Sequence, residues 1–291
     1  MRHWIEAARP KTLPAAVAPV LVGSGLAAGD GAFRMDAFLG CLIGALAIQI
    51  AANFANDASD AARGADTAER RGPERMVASG KITPRAMWAA TGLAIGVAAL
   101  AGVWLISIAG WVIAAIGLVS ILALLSYVGG PLPYGYRGLG ELSVLIFFGL
   151  VATVGTRYAH DRMAPGDAWW LGLVMGALAA AILVANNLRD LETDRRAGKR
   201  TLAVIIGPER TRLLYTSLLL GSYLLIGICA VIGLTPPATA MAVFLTPFTG
   251  PLIRTVNRST EAGRLVAALG GTARLQLLTG AVLAVGAAFG A

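Results

Sequence analysis

DAFLGCLIGALAIQIAANFANDASDAARGAD, residues 36–66, decides the fold. After Asp36 the chain runs twenty residues without a charge, then presents Asp57, Asp60 and Asp66 within ten residues. About 20 apolar residues span a hydrocarbon core as a helix, so the acids mark where that helix leaves the membrane. Asn53 and Asp57 are four apart and Asp57 and Asp60 three apart, spacings that share a helix face. A second stretch, NNLRDLETDRRAGKRTLAV from Asn186, repeats the pattern: Asn187 and Asp190 are three apart, Asp190 and Asp194 four.

Composition agrees with a membrane setting. The 291 residues are 57% hydrophobic and 14% charged, with mean hydropathy +0.71, whereas soluble domains carry about 25% charged residues. The net charge of +8 does not indicate nucleic acid, because basic residues in the loops of a polytopic protein set its topology. Cys41 and Cys229 lie inside apolar runs and read as small buried hydrophobes. The isolated His3 and His160 form no metal spacing. The N-terminus, broken by Pro10, Pro14 and Pro19, reads as a retained first span rather than a cleaved signal.

Nine segments are apolar enough to span, at about residues 13–28, 36–57, 85–106, 110–129, 139–157, 168–188, 212–233, 236–254 and 271–290. The expected fold is therefore all-α, one domain over 1–291: nine transmembrane helices in a single bundle around a cavity open to the cytoplasm. Alternating sides from the N-terminus puts 21 of the 24 Lys and Arg on the N-terminal side, leaving Arg34, Arg157 and Arg162 opposite. Positive charge stays in the cytoplasm. The N-terminus is then cytoplasmic and the C-terminus outside, in the plasma membrane of a bacterium. Both acidic stretches fall on the cytoplasmic side, four helices apart, which suggests two similar helical modules.

Each stretch aims amides and carboxylates at one point. Close carboxylates repel unless a cation joins them, and hard oxygen ligands suit Mg²⁺, which takes one or two carboxylates plus waters and substrate phosphates. Two facing clusters would hold Mg²⁺ against one diphosphate. Basic residues follow both clusters, Arg63, Arg75 and Lys81 after the first and Lys199 and Arg200 after the second; such donors are the usual phosphate partners. A polar mouth above an apolar interior fits a polyprenyl diphosphate. Loss of its diphosphate leaves an allylic cation, which aromatic faces stabilise by about 0.5–2 kcal/mol each. SYVGGPLPYGYRGLGE supplies Tyr127, Tyr134 and Tyr136 as candidates, with Arg137 beside them.

These residues resemble the paired signatures of the UbiA-type intramembrane prenyltransferases, NDxxD in the first loop and DxxxD in the second, and the similarity runs over nearly the whole chain. EAARPKTLPAAVAPV, GPERMVASGKIT and GGPLPYGYRGLGELSV narrow it to the branch that prenylates 1,4-dihydroxy-2-naphthoate. The resemblance implies metal and diphosphate contacts from Asn53, Asp57, Asp60 and Asp66, and from Asn187, Asp190 and Asp194. Asp66 trails by six positions where many relatives space it closer. It implies substrate binding by Asn56, Arg75, Lys81, Arg137, Asn186, Asn187, Lys199 and Arg200, and by Arg9 or Lys11 as holder of the acceptor carboxylate. The implied partners are polyprenyl diphosphate, 1,4-dihydroxy-2-naphthoate, Mg²⁺ and the lipid bilayer, and the implied product is a demethylmenaquinone of menaquinone biosynthesis. Two alternatives stay open: another aromatic acceptor, such as 4-hydroxybenzoate or homogentisate, and a transporter. A transporter calls for ionisable residues at mid-membrane, where these spans have almost none.

Overall fold

The computed structural model describes residues 1–64, 72–129 and 133–290. Among these the chain is all-helical. The α-helices are α1 (Arg2–Ala8), α2 (Pro14–Gly29), α3 (Met35–Ala62), α4 (Pro84–Ala109), α5 (Trp111–Val128), α6 (Gly140–Leu145), α7 (Ala152–Asp161), α8 (Gly166–Arg196), α9 (Leu202–Val231), α10 (Thr249–Arg258) and α11 (Ala262–Phe289). A π-helical turn, Ile146–Val151, joins α6 to α7 in one continuous rod.

Seven helices are long and apolar enough to cross a membrane: α3, α4, α5, the α6–α7 rod, α8, α9 and α11. The α1–α2 pair, bent by 52°, can supply an eighth. The expected span at 236–254 is not a continuous α-helix. Pro237–Phe248 winds as a 3₁₀-helix and passes into α10. Pro237, Pro247 and Pro251 lie along it, and each proline removes an N–H and clashes with the preceding turn of an α-helix. Two other expected ends also move, since α3 and α8 continue beyond residues 57 and 188.

The bundle is built around α8. Of its apolar window 72% is buried, against 22% for α4 and 17% for α5, so α8 is the central post and α4 and α5 show most of their surface to lipid. It packs against α9, α11 and the α6–α7 rod. The rod comes closest where Gly149 meets Gly176: a Cβ on Gly149 would lie 2.4 Å from the Gly176 Cα. Backbones approach this closely in a membrane only through small residues. Buried hydroxyls and amides tie other helices together, Tyr215 to Thr272 at 2.7 Å, Tyr223 to Thr279 at 2.8 Å, and Gln276 Nε2 donating to the Met175 carbonyl at 3.1 Å.

The end of the bundle away from the acidic motifs is closed by charge. Arg157, 3% exposed, donates to Asp30 after α2 and to Asp161 at the end of α7. His160 accepts from the Arg34 backbone N–H at 3.0 Å and lies 3.1 Å from Ser24 Oγ. Truncating Arg157 to alanine removes charge-assisted bonds worth about 1.5–3 kcal/mol each. The expected result is a lower thermal unfolding midpoint in detergent.

Candidate active site

Both motif helices run on through their acids because the residues there are good helix formers, alanine in α3 and Leu, Glu and Arg in α8. Each helix then stops at a glycine with positive φ, Gly64 and Gly198. The ending of α8 places a site residue. Gly198 N–H donates to the Arg195 carbonyl at 3.2 Å and Lys199 N–H to the Asp194 carbonyl at 2.8 Å, the reversal that a left-handed glycine permits after a helix. It folds Lys199 back so that its Nζ reaches Asp60 Oδ1 on α3, 3.4 Å away.

Asp60 is 2% exposed and is the meeting point of three segments. Arg75 Nη2 donates to its Oδ2 at 3.1 Å, and the Tyr136 hydroxyl and Lys199 converge on Oδ1. Lys199 Nζ also lies 4.7 Å from the centre of the Tyr136 ring, and Arg63 lies 5.4 Å from it. On α8, Arg189 grips Asp190 with Nε to Oδ1 at 2.8 Å and Nη2 to Oδ2, and also donates to Asn186 Oδ1 at 3.0 Å. Asp194, one turn on, is buried. Buried ion pairs of this kind contribute little net stability, so stability does not account for their concentration at one end of the bundle.

A cavity of about 330 Å³ opens beside these groups. Asn53, Asn56, Asp60, Arg75, Asn186, Asn187 and Lys199 line its polar end. It continues past Tyr127, Tyr134, Phe147 and Phe148 to Cys41, Leu105 and Ile113. From Asp60 back to Cys41 is 19 residues of α3, about 28 Å at the 1.5 Å helical rise. Tyr127 and Tyr134 meet edge to face, 5.3 Å between ring centres. The Tyr134 hydroxyl donates to the Ala123 carbonyl at 2.8 Å. Burial pushes that phenol above its ordinary pKa, so it stays protonated as a donor. Phe147 and Phe148 sit on the π-helical turn, a feature that often marks functional sites.

Several sequence expectations change here. Asp57 does not face the cavity. Its Oδ2 accepts from the Met76 N–H at 3.1 Å and its Oδ1 from the Val77 N–H at 3.0 Å, so both oxygens hold the segment that carries Arg75. The pair four residues apart that lines the cavity is Asn56 with Asp60. Asn53 also lines it, but its amide donates to the Ala8 carbonyl at 2.9 Å and to Thr12 at 3.2 Å. Lys81 pairs with Glu74 at the surface, and Lys11, Arg137 and Arg200 are exposed outside the cavity wall. Arg200 serves through its backbone, whose N–H donates to the Tyr136 carbonyl at 3.1 Å. Asp66 lies outside the described residues. Of the two N-terminal candidates, Arg9 lines the cavity beside Thr12 and Gln49. It is the left-handed C-cap of α1, at φ 51°, with its N–H donating to the Glu6 carbonyl. Sequence reading missed Glu141, Arg189, Phe147 and Phe148. In one sequence a phenylalanine pair inside a span looks the same as core, and Glu141, at the end of the tyrosine-bearing stretch, has no second acid at helical spacing to mark it.

Among the described residues, no three carboxylate, imidazole or thiol groups converge on one point. The acceptors at the polar end are the Asp60 carboxylate and the amides of Asn53, Asn56, Asn186 and Asn187, an all-oxygen set, while Asp190 and Asp194 lie buried outside the cavity lining. That set fits Mg²⁺, which takes few protein ligands and completes its shell with water and phosphate oxygens.

An all-helical bundle with an acid-and-base mouth over an apolar cleft describes a class of intramembrane enzymes, and the chain belongs to it: residues 16–267 match the UbiA prenyltransferase family. Over 222 residues, 75% of this chain and 74% of the relative, it is 46% identical to the 1,4-dihydroxy-2-naphthoate octaprenyltransferase of Mycobacterium tuberculosis. Over 225 residues, 75% of this chain and 73% of the relative, it is 39% identical to the Escherichia coli enzyme of the same name. The fold matches a UbiA homolog from Archaeoglobus fulgidus bound to GPP and Mg²⁺, with TM-score 0.69 at 15% identity over 97% of this chain and 99% of that one.

Proposed function

We propose that this protein transfers a polyprenyl group from polyprenyl diphosphate to 1,4-dihydroxy-2-naphthoate, releasing diphosphate and CO₂ and giving the hydroquinone form of a demethylmenaquinone. The observation that carries this reading is the cavity itself, which joins an oxygen-and-base mouth to a long apolar cleft. The family membership and the two naphthoate octaprenyltransferase relatives support it.

Arg75 and Lys199 donate to the diphosphate oxygens. Asn56, Asp60 and Asn187 at the cavity wall, with Asp190 and Asp194 behind it, would hold Mg²⁺ through carboxylate and amide oxygens, and the ion, when bound, would supply charge stabilisation for the departing diphosphate. The rings of Tyr127, Tyr134, Phe147 and Phe148 keep water from the allylic cation and offer it their faces. Arg9, with Thr12 and Gln49, binds the carboxylate of the naphthoate and orients its electron-rich ring. The nine crossings are the bent α1–α2 pair, α3, α4, α5, the α6–α7 rod, α8, α9, the 3₁₀–α10 segment and α11. The mouth and N-terminus face the cytoplasm, and the C-terminus lies outside.

Purified protein given radiolabelled prenyl diphosphate is expected to prenylate 1,4-dihydroxy-2-naphthoate with stoichiometric CO₂. Chelation by EDTA should abolish turnover and added Mg²⁺ restore it. Transfer to 4-hydroxybenzoate in preference, without CO₂, would overturn the acceptor; full activity in EDTA would overturn the metal.

A further inference from the structure

Glu141 belongs to neither acidic motif, yet it is buried beside the site at 7% exposure, the second residue of α6. Its Oε1 accepts from Asn187 Nδ2 at 2.9 Å, while its Oε2 is buried and has no hydrogen-bond partner among the described residues. Asn187 lines the polar end of the cavity three residues before Asp190. Tyr127 is close as well: a Cβ on Gly140 would lie 3.0 Å from its hydroxyl. Glu141 therefore stands behind the wall of the site, among the groups assigned above to metal and diphosphate.

An amide has a donor end and an acceptor end, and turning it about χ2 exchanges them. A carboxyl oxygen without a proton only accepts, as Glu141 Oε1 does here, so it can face only the NH₂ end. We propose that Glu141 is a positioning residue that locks the Asn187 amide with its carbonyl oxygen turned to the cavity, where a cation or a donor of the substrate requires an acceptor. This inference rests on the function proposed above. It accounts for glutamate rather than glutamine. A glutamine here could pair with Asn187 in either orientation, so the shape and the hydrogen bond would survive while the direction of the amide would not. It also accounts for the unpartnered Oε2, since excluding every donor except Asn187 leaves the second oxygen without one.

The test is binding of a Mg²⁺–geranyl diphosphate complex to full-length protein in detergent, by calorimetry, with steady-state kinetics alongside. Glu141→Gln is expected to weaken binding and raise the half-saturating Mg²⁺ by about 10–100-fold, the usual effect of losing a partner that orients a ligand, with an unchanged unfolding midpoint. Asn187→Asp alone should also bind weakly, because two carboxylates then face each other. The double variant Glu141→Gln, Asn187→Asp should recover most of the affinity, since the glutamine NH₂ now donates to one aspartate oxygen and leaves the other turned to the cavity. Glu141→Gln binding within twofold of the parent, or no recovery in the double variant, overturns the lock. If the parent itself fails to bind the complex, the failure lies with the proposed function instead.

Discussion

Asp60→Asn is expected to lower kcat/KM for prenyl transfer by about 10²–10³-fold, the scale of removing one preorganised electrostatic group from a site. Raising Mg²⁺ should not restore it. The reason is where Asp60 sits. Arg75, Lys199 and Tyr136 come from three segments and meet on its two oxygens at 2% exposure. Asparagine keeps the volume, loses the charge, and sets an NH₂ against at least one cationic donor. Asp57→Asn serves as the contrast. Its carboxylate accepts from Met76 and Val77 N–H groups and takes no part in the cavity wall. Its loss should loosen the Arg75 segment, seen as faster proteolysis between residues 72 and 83. KM for the prenyl diphosphate should rise, with the Mg²⁺ half-saturation unchanged. Equal Mg²⁺ defects in the two variants would return Asp57 to the metal.

Asp190→Asn is expected to cost about 10²-fold in kcat/KM, through a different route. Arg189 Nε donates to Asp190 Oδ1 at 2.8 Å, and that guanidinium packs against Gly72, where a Cβ would lie 2.9 Å from its Cζ. Losing the carboxylate charge therefore unsettles the contact between α8 and the Arg75 segment as well as the oxygen set. Steady-state kinetics should show both a higher KM for prenyl diphosphate and a higher Mg²⁺ requirement. A change confined to the acceptor KM would overturn this assignment.

The membrane class was legible in one pass, because charge cannot be placed freely in hydrocarbon: the long uncharged runs and the 21 of 24 basic residues on one alternating side leave few other readings. The second motif was legible for a similar reason, since spacings of three and four residues mean the same thing on any helix. The helix type at 236–254 was not legible, because hydropathy is insensitive to the prolines that turn it into a 3₁₀-helix followed by α10.

What the sequence determined by itself is the inventory: apolar helices, two acidic helix ends and basic residues beside them. Periodicity left the facing of the first motif open. Asn53, Asn56, Asp57 and Asp60 all fall within about one turn of another member of the set, and only packing chose Asn56 and Asp60 for the cavity and Asp57 for the loop. Tertiary structure likewise selected Arg9 over Lys11 and brought Glu141 behind Asn187, 46 residues apart in the chain. The physical reason is common to these cases. A helix sets which residues share a side, but what that side meets depends on helices far away in sequence, and the direction of an amide depends on the partner it finds there.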